Sequence, residues 1–343
     1  MNKELMGALD ELEREKNISK ETLLDAIEQS LIQAYKNHFG KADNVHVTIN
    51  RETGDFSVYA DRKVVEFVED PAEEVSLVEA QKQNTNAEVG DILKVPVHSD
   101  KFGRIATQNA KNVILQKIRE EERKVLFDQY HGNEKEVVTG IVQRVVGHNV
   151  SVNLGKADAI LAENEQVKGE TFKPTERIKV YILEVKDTPK GPRILVSRTH
   201  PGLVKRLFES EVAEVKDGTV EIKSIAREAG SRTKLAVWSN DPDVDPVGAC
   251  VGVNGARVSA IVNELRGEKI DIINWDENPA ILIENALSPA KVIAVMADPD
   301  EKTALVVVPD YQLSLAIGKE GQNARLAARL TGSVSYTHLT LPT

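Results

Sequence analysis

The feature that most constrains the fold is an internal repeat. Two Gly-x-x-Gly elements begin at Gly252 and Gly318, 66 residues apart, and the same order of helix and strand patterns surrounds each. The first copy reads as a helix around PGLVKRLFESEVAEV, strands TVEIKSIARE and TKLAVWSN, a short helix over Pro246 to Val251, then GVNG, helix ARVSAIVNELRG and strand EKIDIINW. The second runs ENPAILIENALSP, AKVIAVMA, TALVVVPD, YQLSLAI, GKEG and QNARLAARLTG in the same order. A mixed unit written twice predicts two tandem domains of one fold. The second copy should close with a strand like EKIDIINW, but the chain reads SVSYTHLTLPT. Alternation of Val334, Tyr336, His338 and Thr340 permits a strand there. Its residues match nothing in the first copy, so the end from about Ser333 is read as foreign to the repeat.

Upstream the patterns differ. At roughly 150 residues per domain, 343 residues predict two or three domains, or more if some are small. The first forty residues read as two helices. Ser19 stands as N-cap of the second, Glu21 lies in its first turn, Gly40 follows its end, and Leu23, Ile27 and Leu31 form one stripe. NVHVTINRETGDFSVYA then alternates on both sides of a turn, a hairpin signal, and RKVVEFVE supplies a third strand. A helix over Ala72 to Gln83, a strand over Ile92 to Val97 and a long helix from Thr107 to about Tyr130 complete this domain. From Val137 short β segments punctuated by turns span about 65 residues, which suits a five-stranded barrel of the oligonucleotide-binding class. A sandwich needs about 100 residues. The domain limits read 1–130, 135–199, 200–276 and 277–332, with a tail over 333–343.

Lys and Arg number 44 against 54 Asp and Glu, a net charge of −10. Residues 1–125 hold 18 basic and 24 acidic groups, 126–200 hold 11 and 10, and 201–343 hold 15 and 20. Any nucleic acid must therefore be held by local donors and not by an overall cationic field. No apolar run approaches the length of about 20 that spans a bilayer, and the charged N-terminus lacks a secretory pattern, so a cytoplasmic protein with no membrane contact is expected. The single cysteine, Cys250, excludes an intrachain disulfide and is read as core. A phosphate loop is absent, the histidines lack metal-ligand spacing, and DPDVDP lacks the distal Gly and Glu of a calcium loop. It reads instead as a turn capping the helix before GVNG. No catalytic group, metal or cofactor is expected.

The repeated loop carries the chemistry. In KH modules a Gly-x-x-Gly loop lies against the backbone of four nucleotides, where a Cβ would hold the phosphate away. Amides opening the next helix add partial positive charge toward the same phosphates. The candidate RNA-binding residues are Gly252, Val253, Asn254 and Gly255 in the first loop, and Gly318, Lys319, Glu320 and Gly321 in the second. Arg257 and Arg325 stand where they could reach phosphate or stack on a base, the plainer reading being a solvated helix surface. Asn323 is a candidate for a base edge, or a local cap. In the barrel, bases would need rings beside cations. His148, Phe172 and Tyr181 are the available rings, with Arg144, Lys156, Lys179 and Arg198 near them in sequence. Of these His148, Tyr181 and Arg198 are taken as candidates.

The module order, with the stretches KVYILEVKDTPKGPRILVSRTHPGLVKRLFESEV, IAREAGSRTKLAVWSNDPDVDPVGACVG, GEKIDIINW and VVPDYQLSLAIGKEGQNARLAARLTG, closely resembles the bacterial NusA family of transcription termination and antitermination factors. The resemblance covers about residues 1–332. It implies a multidomain α+β protein: an N-terminal α/β domain, an S1-type OB β-barrel and two tandem KH domains of the prokaryotic, type II order. It further implies a non-enzymatic, monomeric factor that binds core RNA polymerase through its N-terminal domain, including FGRIATQNAKNVILQKIREEER. It would contact nascent single-stranded RNA through the barrel and both KH domains, join other Nus factors, and modulate pausing, termination and antitermination. The family continues after LTG with a Trp and an Ile-Asp-Ile strand, which this chain lacks. Two other classes fit the modules: an RNA-degrading enzyme with KH and S1-type accessories, which needs a catalytic core, and a ribosome-associated or RNA-processing module.

Overall fold

The computed structural model describes residues 2–16, 18–39, 44–51, 56–71, 73–96 and 100–339. They form two compact units, 1–125 and 126–343. In the first, α1 (Asn2–Lys16) and α2 (Lys20–Phe39) precede β1 (Val45–Ile49), β2 (Phe56–Val65) and β3 (Glu74–Ser76). Then come α3 (Leu77–Gln83), β4 (Ile92–Pro96) and α4 (Asp100–His131). The predicted stripe is the core: Leu23, Ile27 and Leu31 are buried with Leu9, Val45, Ile49 and Val58, and Val113, Ile114 and Ile118 of α4 pack on them. Strand β2 pairs with β1 and β4 antiparallel and with β3 parallel. The helix expected from Ala72 starts only at Leu77. Glu74 to Ser76 are drawn into the ladder beside Lys63 to Val65, and the Ser76 side chain accepts from the Glu79 amide, fixing the N-cap. Gly40, the hairpin turn at 52–55 and Val97 lie outside the described residues.

The second unit opens with a closed barrel in the order β5 (Val137–Val146), β6 (Asn149–Asn153), β7 (Asp158–Leu161), β9 (Arg193–Ser197), β8 (Arg177–Lys186). Its interior is Val142, Val150, Val152, Leu161, Val180, Ile182, Ile194 and Val196, the inward half of each alternating strand.

The repeat folds as written. The first copy is α5 (Pro201–Glu211) with α6 (Ala213–Lys216), β10 (Val220–Glu228), β11 (Arg232–Ser239), α7 (Pro246–Val251), α8 (Ala256–Glu264) and β12 (Lys269–Asn274). The second is α9 (Pro279–Ala286), β13 (Ala294–Asp298), β14 (Thr303–Val308), α10 (Asp310–Ile317), α11 (Gln322–Thr331) and β15 (Val334–Leu339). Each sheet pairs its first two strands antiparallel and its last two parallel. The unmatched end supplies β15, paired with β14 from Thr303 opposite Val334 to Val308 opposite Leu339. A parallel ladder asks only for extended backbone beside an open edge, so a sequence unlike EKIDIINW still completes the sheet. The chain beyond 339 lies outside the described residues.

The two copies share a core. Ala226, Ala236 and Ile273, on the sheet of the first, are buried with Leu282, Ile283, Ala286, Leu326 and Leu330 on α9 and α11 of the second. Burying one apolar face against the other fixes the spacing of the two glycine loops.

Candidate nucleic-acid interface

Each loop is set by what precedes it. Asp245 caps α7, its carboxylate accepting from the amides of Val247 and Gly248, and Pro246 fills the first helical position. DPDVDP is thus a capping turn. The helix ends as the Gly252 amide donates to the Gly248 carbonyl, and α10 ends likewise with Gly318 on Ser314.

From there the two loops follow one path. Gly252 has φ 75° and ψ 174°, Asn254 φ 53° and ψ 25°, and Gly255 φ 74° and ψ 16°. Gly318 has φ 75° and ψ 172°, Glu320 φ 54° and ψ 27°, and Gly321 φ 74° and ψ 13°. The first glycine of each pair occupies a region open essentially to glycine alone. A Cβ on Gly252 would stand 2.8 Å from Cγ of Arg257, and one on Gly318 2.8 Å from the Asn323 amide nitrogen. At the second glycine a Cβ meets nothing closer than 3.8 Å in the first loop and 3.9 Å in the second. The first glycine therefore serves the turn, and the second keeps the outer surface clear. No side chain caps α8 or α11, because the N-cap residues are Gly255 and Gly321. The Ala256 amide donates to the Val253 carbonyl and the Gln322 amide to that of Lys319, so each helix opens on a backbone turn with no side chain over it, the kind of N-terminus that can take a phosphate. Val253, 84% exposed, and the exposed Asn254, Lys319 and Glu320 form the loop tips.

The flanking residues divide. Asn323 is buried, and its side-chain amide donates to the carbonyls of Leu287, Leu315 and Ala316. It ties off the ends of α9 and α10 and cannot read a base, which corrects that expectation. By the 66-residue offset its counterpart is Arg257, whose Nη1 donates to the Ala249 carbonyl, the same cap, and to Glu214. Arg325 corresponds to Ser259. Its guanidinium donates to Glu228 of the first copy and to the loop carbonyl of Glu320.

In the barrel, Arg198 is 1% exposed and is spent internally. Its guanidinium pairs in bidentate fashion with Glu170 and donates to the carbonyls of Lys179 and Glu264, so it joins barrel to first copy and does not face RNA. Tyr181 is also buried, stacked on His200 with ring centres 4.6 Å apart and packed beside Gly202. Both barrel expectations are corrected for one reason: these groups line the joint between domains, which sequence proximity to other cations does not reveal. Phe172 lies under Arg266, 5.3 Å from its guanidinium. His148, its side chain 82% exposed beside Glu163, stays at the surface.

The joint is strongly polar. Arg227 pairs with Glu268, which also accepts from Thr233 and the Gly230 amide, a cluster at the adjoining ends of β10, β11 and β12. His200 caps α5 by accepting the Gly202 amide on Nδ1. Burial pushes its pKa below the ordinary value, with Arg227 adding to the effect and Glu165 opposing it.

Sequence reasoning missed the outer face of α10. Tyr311, Leu315 and Ile317 are 78%, 44% and 38% exposed in the helix that leads into GKEG. Read along the chain, YQLSLAI is only a short apolar helix before the loop. The signal was the contrast with the first copy, where Asp245, Ala249 and Val251 hold those positions.

A closed five-stranded barrel followed by two α-β-β-α-α-β domains, each with an uncapped glycine loop, defines a multidomain RNA-binding protein of S1 and tandem KH modules. Family models agree: the S1 RNA binding domain matches residues 132–197, the NusA-like first KH domain 198–275 and the NusA-like second KH domain 279–334, after the NusA N-terminal domain at 4–124. The transcription termination/antitermination protein NusA of Bacillus subtilis (strain 168) is 56% identical over 332 residues, 97% of this chain and 90% of that protein. Those of Halalkalibacterium halodurans and Thermus thermophilus are 54% and 42% identical, over 97% of this chain in each case and 87% and 89% of theirs. The chain belongs to the NusA family.

Proposed function

We propose that this chain binds core RNA polymerase through residues 1–130 and nascent single-stranded RNA through the barrel and both glycine loops. In this way it modulates pausing, termination and antitermination, together with other Nus factors. It acts without catalysis, in the cytoplasm and as a monomer. The modules are taken as 135–199, 200–276 and 277–332. The RNA contacts are assigned to residues 252–255 and 318–321, with His148 on the barrel and Arg325 beside the second loop; Arg257 serves its own loop. On the polymerase side the candidate is α4 over residues 102–123.

The observation that carries this reading is the matched backbone of the two loops. Each leads into a helix N-terminus that no side chain caps, on domains locked together by a shared core, so an anionic protein gains two fixed phosphate sites. In vitro transcription on a template with a hairpin pause tests it. Pause lifetime should change when the chain is added, and an unchanged lifetime with polymerase and protein both in excess would refute the reading.

A further inference from the structure

We propose that Glu228 of the first KH copy gates the second glycine loop: its carboxylate holds the guanidinium of Arg325 until an RNA phosphate replaces it. The proposal rests on the reading that GKEG grips an RNA backbone. Nε and Nη2 of Arg325 lie 2.6 Å and 3.2 Å from the two carboxylate oxygens of Glu228, and Nη1 donates to the Glu320 carbonyl at 3.1 Å. The atom nearest to where a Cβ on Gly321 would stand is that same Nη1, at 3.9 Å. The guanidinium therefore lies alongside the loop, in reach of a phosphate seated on its amides.

Three features mark this pair as exchangeable. The Arg325 side chain is 44% exposed and that of Glu228 21%, so the pair opens to solvent. Glu228 keeps partners when Arg325 leaves: Gln322 Nε2 donates to it at 2.9 Å, and Arg329 stands 3.9 Å away. Carboxylate and phosphate are also alternative acceptors for the same planar fork of donors. Arg325, by its hydrogen bond, holds the Glu228 carboxyl below the ordinary range, so the acid stays charged at neutral pH. The first copy has no equivalent, since Ser259 occupies the position of Arg325.

The consequence is selective. While Glu228 cancels its charge, Arg325 attracts no loosely passing strand. A strand seated on the loop presents a phosphate at short range and makes the exchange. Glu228 thus limits the affinity and salt sensitivity of the second loop.

The test measures binding of a labelled, unstructured oligoribonucleotide to the full chain across a salt series. Glu228→Gln keeps an acceptor for Gln322 and removes the charge. It should bind roughly tenfold tighter at low salt, with a log affinity against log salt slope steeper by about 0.7. Arg325→Gln should weaken binding by about threefold in the unaltered chain and by about thirtyfold in the Glu228→Gln background, where it abolishes the gain. Unchanged or weaker binding by Glu228→Gln overturns the gate, and so does an equal loss from Arg325→Gln in both backgrounds. If Glu228→Gln proves unstable, the Arg325 Nε–H resonance of the unaltered chain decides: it should shift as RNA saturates the protein, and a stationary signal overturns the exchange. Failure of the unaltered chain to bind the oligonucleotide would instead refute the RNA-binding reading beneath it.

Discussion

At the scale of single residues, the two glycines of one loop do different work. Gly255 is left-handed with open space at its Cβ position, a conformation that Asp tolerates at a cost of about 1 kcal/mol. Gly255→Asp should therefore sharply weaken RNA binding by placing a negative charge at the proposed phosphate site, while the melting temperature falls by only about 2–4 °C. Unchanged affinity in a titration would remove the first loop from the contact set. Gly252→Asp should lose affinity and also stability, by about 1–3 kcal/mol, because no other residue fits its backbone and its Cβ would strike Arg257. His200 gives a pH prediction. Its folded pKa lies below the ordinary value of 6.5, so its stabilising contribution is complete above that pH and is lost as pH falls through and below it. Thermal melting between neutral and mildly acid pH should show this decline, and His200→Asn, a non-titrating helix cap, should flatten it. Equal slopes for both proteins would show that the loss arises elsewhere. Here the sequence was informative about backbone and poor about side chains. Glycine spacing exposes a loop, since few other residues adopt its angles. Nothing along the chain tells that Asn323 turns inward while Arg325 reaches another domain.

At the scale of elements, the two copies share a frame but present different faces. The short helix α10 carries Tyr311 outward where α7 has its capping Asp245. A ring so exposed adds little to folding, so Tyr311→Ala should leave the melting temperature within a degree or two. If a base stacks there, the same change should cost about 1–3 kcal/mol of RNA affinity. A calorimetric titration with the altered protein measures this directly, and an unchanged constant would show that α10 offers no platform. Helices and strands of the repeat could be read from period and punctuation because each half corroborates the other. The start of α3 could not, since Glu74 to Ser76 were taken by pairing with β2. Propensity along a segment yields to an available ladder partner.

At the scale of the whole molecule, an overall charge of −10 must coexist with RNA binding. Fixed amides resolve this only if few cations take part. About two to four phosphate contacts per module predict a shallow dependence of log affinity on log salt, at about 0.7 per contact on single-stranded RNA. A slope as steep as that of a strongly basic binder would contradict it. The sequence by itself determined the module order, the strand and helix order of both copies and the position of the glycine loops. Those properties are written in local periodicity and in residues whose backbone angles are nearly unique. Only the tertiary structure decided which polar groups stay at the surface and which are spent inside. Arg198, Tyr181 and Asn323 were drawn into joints between domains and helices, and Arg325 was bound by a carboxylate 97 residues away. Burial and pairing depend on what long-range packing brings alongside a side chain, and that is not encoded in its near neighbours along the chain.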